Sequence, residues 1–181
     1  MAGPVKSDHP NVRTLNTLLR GCLWCAAAAT TTTTTTSEDN TIVGGVVTGE
    51  RAWAAYKKLG LAFDVSSYEY SITLLSQALR VEDASLRISE MGIFFGLSQE
   101  QKLIASCDDQ SLTESLAMGY CALARAYTIL NDEKKAIDTC KTSLAFASTS
   151  KDTLKKGNLV SSTSHNYYSS YCNYYCCLLD D

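Results

Sequence analysis

Proline and histidine are scarce, with 2 of each in 181 residues, and glycine reaches only 10. Collagen-like chains are excluded by that scarcity, and coiled coils by the lack of any persistent heptad. Charged side chains make up 19% of the chain, against about 25% in an average soluble protein. Ser, Thr and Tyr fill the deficit. No run of about 18 apolar residues occurs, so no helix is long and apolar enough to span a membrane. Catalytic signatures are missing too. There is no His-x-x-x-His, no Gly-x-Ser-x-Gly and no carboxylate cluster at metal-ligand spacing. Both histidines, His9 and His165, sit near the ends of the chain. The sequence points away from an enzyme, and if the chain belongs to a longer protein, any catalytic domain lies elsewhere. No cofactor, metal or small-molecule substrate is expected.

What charge there is lies unevenly. The net charge is -3, which argues against a general polyanion binder. Residues 1–60, however, hold Lys6, Arg13, Arg20, Arg51, Lys57 and Lys58 against Asp8, Glu38, Asp39 and Glu50. Any phosphate contact is therefore expected in the N-terminal part. Cysteine is plentiful, with 8 residues, yet no secretory h-region precedes them, and Cys22, Cys121 and Cys140 fall inside helical apolar patterns. A reduced intracellular compartment fits that placement. Cys22-Leu-Trp-Cys25 is a C-x-x-C, and Cys172, Cys176 and His165 are the residues available to complete a zinc site with it. Their spacing matches no zinc knuckle, and Cys22 reads more simply as a small core residue.

Helical spacing dominates the chain. Val12 to Ala29 reads as a helix after Pro10, with Leu15, Leu18, Leu19, Cys22 and Leu23 recurring at helical intervals. Thr30 to Thr36 is an unbroken threonine run with no apolar face to bury, and reads as a solvated insertion. Thr41 to Thr48 is a candidate short extended piece, weakened by Gly44 and Gly45. These glycines are not a phosphate loop, because no Lys-Ser/Thr follows. Glu50 to Leu59 reads as a second helix ended by Gly60, and Ser66 and Ser67 as caps of a third running to Leu79. A fourth starts near Glu82, Gly92 to Ser98 is a loop, and Glu100 to Ser106 a short extra helix. Ser111-Leu-Thr-Glu114 is a capping box opening a helix over Leu112 to Leu130, with Lys134 to Ala147 as its partner. No convincing strand is present. From Ser161 the composition shifts to Ser, Tyr, Cys and Asn, a low-complexity tail.

Helix pairs in series invite a search for repeats. Asp64 through Met91, with Tyr68, Ala84 and Met91 at their present spacing, resembles a pentatricopeptide repeat. The stretch Pro10 to Leu19 resembles the opening helix of another such unit, Gly49 to Lys58 its second helix, and Gly60-Leu-Ala-Phe-Asp64 its close, with Phe63 where the family has Pro. A third unit, with Tyr120, Leu123, Ala124, Tyr127, Ala136, Cys140 and Ser143, resembles a tetratricopeptide repeat. There Cys140 replaces a larger aromatic, and Ser148 stands where Pro is usual. The resemblance covers Asn11 to Ala147. It implies an all-α chain, an α-solenoid of helix-turn-helix repeats. Residues 1–11 form an N-terminal extension. Two pentatricopeptide-like units follow, over 12–64 (with a Thr-rich insertion at 30–48) and 65–99. A tetratricopeptide-like hairpin with a short lead-in occupies 100–147, and 148–181 is the tail. On this register Ala84 and Ala136 permit close helix crossings, and Trp53, Tyr68 and Tyr120 fill the gaps between hairpins.

The resemblance also implies a function. Pentatricopeptide proteins bind single-stranded RNA, about one nucleotide per repeat, reading each base with the fifth and last residues. Those are Asn16 and Asp64 in the first unit, a pair that the family uses for uridine, with Arg13 flanking the base. In the second unit they are Glu69 and Gln99. Glu69 departs from the usual Asn, Ser or Thr, and a carboxylate near phosphates is repulsive, so replacing it is expected to leave affinity unchanged or raise it. The implied setting is mitochondrial RNA processing or translation, although the first residues do not form an Arg-rich amphipathic transit peptide, and a cytoplasmic site is the alternative. A protein-interaction scaffold of the tetratricopeptide kind, holding a protein partner in a larger complex, is the competing class.

Overall fold

The computed structural model describes residues 10–31, 38–95 and 110–154, and among them every regular element is helical. The six helices are α1 (Val12–Thr31), α2 (Glu38–Lys58), α3 (Val65–Gln77), α4 (Val81–Phe94), α5 (Gln110–Ile129) and α6 (Glu133–Leu154). Each odd-numbered helix pairs with its successor, giving three hairpins. The odd helices also meet one another in order: α1 packs on α3 and α3 on α5. By contrast, the Cα atoms of α2 and α4, and of α4 and α6, nowhere come within 8 Å.

Local chemistry sets the helix ends. Asn11 caps α1, its side-chain oxygen accepting from the Thr14 N–H at 3.2 Å. Asp132 caps α6 in the same way, accepting from the Lys135 N–H. Three turns share a second device. Gly60, Leu79 and Asn131 all have left-handed φ, at 68°, 58° and 58°. At each, the N–H of that residue and of the next reach back to the carbonyls of the preceding helix: Gly60 to Lys57 and Leu61 to Tyr56, Leu79 to Ser76 and Arg80 to Leu75, Asn131 to Thr128 and Asp132 to Tyr127. These bonds satisfy carbonyls that a helix end leaves unpaired.

The core follows a stripe repeated on the three odd helices. Leu15, Leu19 and Cys22 are buried on α1, Tyr68, Ile72 and Leu75 on α3, and Leu116 and Leu123, with Tyr120 half-buried between them, on α5. Spacings of four and three residues keep such side chains on one helix face. Between the first two hairpins lies an aromatic cluster. Trp53 stacks on Phe63 at 4.0 Å, and both meet Tyr68 edge-on. Arg87 covers the far side of Trp53, 4.0 Å from its ring centroid. With its side chain only 11% exposed, it also pairs with Glu50 at 3.1 Å and Glu90 at 3.5 Å. Arg80–Glu50 and Lys57–Glu90 complete this bridge from α2 to α4. Tyr120 behaves differently from Trp53 and Tyr68, for it stacks on Phe146 of α6, inside its own hairpin.

Several sequence expectations change. Thr41 to Thr48 is not extended; it forms part of α2, which begins twelve residues before the Glu50 start expected from the sequence. The reason lies in the glycines taken as a weakness. A Cβ on Gly45 would stand 3.2 Å from the Cys22 carbonyl oxygen, and one on Gly49 would overlap the Leu74 side chain. Absence of side chains there lets α2 approach α1 and α3, and the packing outweighs the low helix propensity of glycine. α4 runs through Phe94, past the expected break at Gly92, since Gly92 is itself buried. α5 starts at Gln110, so Ser111 lies within its first turn and does not precede it. The cap of α3 is Asp64; Ser67 supplies the N–H that it accepts. Most of the threonine run, the Glu100 to Ser106 segment and the tail from residue 155 lie outside the described residues.

The glycines give a paired prediction. A Cβ on Gly44 meets nothing within 4 Å, so Gly44→Ala should stabilise the chain by about 0.5–1 kcal/mol through helix propensity. Gly49→Ala should destabilise it by about 1–3 kcal/mol through overpacking against Leu74. Urea melts of the two variants check both signs. Ala84 is fully buried, and Ala84→Leu should likewise cost about 1–3 kcal/mol.

Candidate functional site

The N-terminal ends of α1 and α3 are clamped together by three polar side chains. Asn16 on α1 donates from Nδ2 to both carboxylate oxygens of Asp64, each at 3.1 Å. Asp64 in turn accepts from the Ser67 N–H at 2.8 Å and from the Ser67 hydroxyl at 2.8 Å. Ser67 Oγ lies 2.7 Å from Asn16 Oδ1 as well. Asn16 and Asp64 are half-buried and Ser67 is buried. The two residues that the sequence pairs across the first unit are therefore in direct contact, although far apart in the chain.

Burial alone would push the Asp64 carboxyl upward. The Asn16 amide, then the Ser67 N–H and hydroxyl, outweigh it and hold the group below the ordinary carboxylate range. A group whose pKa is lower in the folded state contributes stability above its unfolded value of about 3.9, and that contribution is lost as the pH falls.

The amide is not fully used by the clamp. An Asn side chain offers two N–H donors and an oxygen with two lone pairs. One carboxylate occupies one side of Nδ2, and one hydroxyl meets Oδ1. Asp64 and Ser67 lie 2.8 Å apart and together take the edge where N–H and lone pair are adjacent, so the remaining N–H and lone pair point to opposite sides of the half-buried amide. Arg13, one turn before Asn16, is exposed. On the same strip of α1, Thr17, Arg20 and Trp24 follow at helical spacing, all exposed. Trp24 is 68% exposed, with the Arg20 guanidinium 5.3 Å from its ring centroid. An exposed tryptophan beside an arginine offers stacking and positive charge together. Neither Arg20 nor Trp24 was singled out from the sequence; the signal was there in the recurrence of 13, 17, 20 and 24 opposite the buried stripe.

In the second unit, Glu69 accepts from the Ser115 hydroxyl of α5 at 2.6 Å. Its expected partner, Gln99, lies outside the described residues. The C-x-x-C divides between two environments: Cys22 is buried, which pushes its thiol pKa up, with Cys25 adding to the rise, while Cys25 is exposed. A thiol so raised is a poor nucleophile and a poor metal ligand. Among the described residues no three His, Cys, Asp or Glu side chains gather as a metal site. Cys172, Cys176 and His165 lie outside them. No helix among the described residues is long and apolar enough to cross a membrane.

Comparison with known proteins finds no matching family model, no matching curated protein and no matching solved structure.

Removing the cap tests the clamp. Asp64→Ala should destabilise the protein by about 0.5–2 kcal/mol at neutral pH, whereas Asp64→Asn retains capping ability and should lose less. Denaturant melts as a function of pH should show the gap between wild type and Asp64→Asn narrowing below about pH 4, as the native carboxylate is protonated.

Proposed function

We propose that this chain is a non-catalytic helical-repeat protein, an α-solenoid of helix-turn-helix hairpins, that binds single-stranded RNA along the row α1, α3 and α5. The observation that carries this reading is the Asn16–Asp64–Ser67 clamp. It fixes the orientation of the Asn16 amide, which keeps one N–H and one lone pair for a ligand near the exposed Arg13, and single-stranded bases are read by oriented polar groups of that kind. The contact between Asn16 and Asp64 agrees with the pentatricopeptide resemblance, in which these positions act together, and the resemblance further suggests uridine as the base and an organellar, mitochondrial setting. Arg13 and Arg20 supply phosphate attraction or stacking.

A protein-interaction scaffold is the second reading. It is favoured by α4, where Leu86, Ile93 and Phe94 are exposed, and by the excess of acidic residues after residue 60.

Fluorescence anisotropy with U-rich and A-rich single strands at two salt concentrations separates the readings. Asn16→Ala should weaken binding of U-containing RNA by about 1–3 kcal/mol. Arg13→Ala should weaken all strands alike and flatten the salt dependence. Circular dichroism melts of both variants control for folding. Binding with no salt dependence would sink the RNA reading, and loss of a protein partner in Asn16→Ala with RNA affinity unchanged would replace it by the scaffold.

A further inference from the structure

α1 carries no acidic residue, and its face opposite the buried stripe holds Arg13, Thr17, Arg20 and Trp24. Steps of four, three and four residues, at about 100° per residue, keep all four within an arc of roughly 60°. Trp24 ends this strip. It is 68% exposed, although an indole is among the side chains that gain most from burial. The Arg20 guanidinium, 5.3 Å from the ring centroid, steadies it. Among the described residues the other large apolar side chain exposed on α1 is Leu18, which the helix turns about 120° away from Trp24. The indole therefore stands alone on a basic, polar strip.

We propose that Trp24, backed by Arg20, is a stacking anchor for one nucleotide of the bound strand, whatever its base. The proposal rests on the RNA-binding reading above. A tryptophan that anchors a protein partner sits amid apolar contacts that exclude water, and the surroundings of Trp24 on α1 are arginine and threonine. A nucleotide suits them better. Its base offers an apolar π-face to the indole, and its phosphate offers negative charge to the guanidinium groups. With Arg20 over one face of the ring, the base takes the other. Holding the indole against the helix before any ligand arrives lowers the ordering cost of binding.

Trp24 lies eight residues past Asn16 in the sequence, about 12 Å along the helix axis. A strand that reaches both positions runs down α1 and does not cross to α3 between them. The two positions also divide the work. Hydrogen bonds at Asn16 reach a base edge, which differs from base to base, whereas stacking uses a face that every base has. Trp24 thus adds affinity and residence time without adding sequence preference.

Intrinsic fluorescence of the full chain tests this directly. Tryptophan occurs twice, and Trp53 is 3% exposed between Phe63 and Arg87, so long-wavelength emission reports on Trp24. Titration with U-rich or A-rich RNA should quench that emission. In Trp24→Ala the remaining emission should stay constant on adding RNA, and affinity read by anisotropy should fall about tenfold for both strands. The preference between the strands should survive, and Trp24→Tyr should retain most of the affinity. Because Trp24 is exposed, both variants should melt like the wild type. Unquenched wild-type emission at saturating RNA, or wild-type affinity in Trp24→Ala, with binding still salt-dependent and sensitive to Asn16→Ala, would overturn the anchor and leave the Asn16 position standing. No salt-dependent binding of any strand would overturn the RNA reading and this proposal with it.

Discussion

α3 is the constraint on which the other helices depend. It has 13 residues, a length at which an isolated helix is marginal in water. It nevertheless touches α1, α2, α4 and α5, and seven of its residues are buried. A short helix wrapped on several sides is held by its neighbours, and they in turn lose their shared surface if it frays. Its first turn is therefore critical, and that turn is fastened by one carboxylate. Asp64 satisfies backbone and hydroxyl of its own helix and grips the amide of another. Folding of the second hairpin and docking of the first go through the same atoms.

Much of this arrangement was legible in the sequence, for physical reasons. The stripes at 15, 19 and 22 and at 68, 72 and 75 are helical intervals between apolar residues, and such periodicity survives any detail of tertiary packing. Asn16 and Asp64 were paired by resemblance of the flanking repeats, and the side chains do meet. What was illegible depended on distance in space. Gly45 and Gly49 look like helix breakers until the Cys22 carbonyl and the Leu74 side chain are seen where a Cβ would stand. Ser67 looks like a cap by residue type, but the Asp three positions earlier outcompetes it by reaching the N–H from outside the helix. Ser115 could not be matched to Glu69 from spacing, because the connection between α4 and α5 is longer than a repeat turn.

The candidate site and the fold also share their chemistry. Half-burial keeps water from competing fully for the Asn16 amide and the Glu69 carboxylate, while their outer edges stay open. Each orienting serine is buried, so its hydroxyl cannot swing to solvent. This is the arrangement in which a polar group retains one unspent valence in a fixed direction.

The two layers of the molecule differ in how they are joined. Along the row of odd helices, backbones lie close and apolar stripes interlock. Between α2 and α4 the connection consists of long side chains, with Arg87, Arg80 and Lys57 reaching across to Glu50 and Glu90 over the Trp53 ring. Interlocked stripes resist sliding, whereas flexible ion pairs stretch at little cost and weaken as salt rises. The first two hairpins are thus held by packing along the odd helices and at the buried Trp53 cluster, and only the exposed outer pairs, such as Lys57–Glu90, answer to the salt around them.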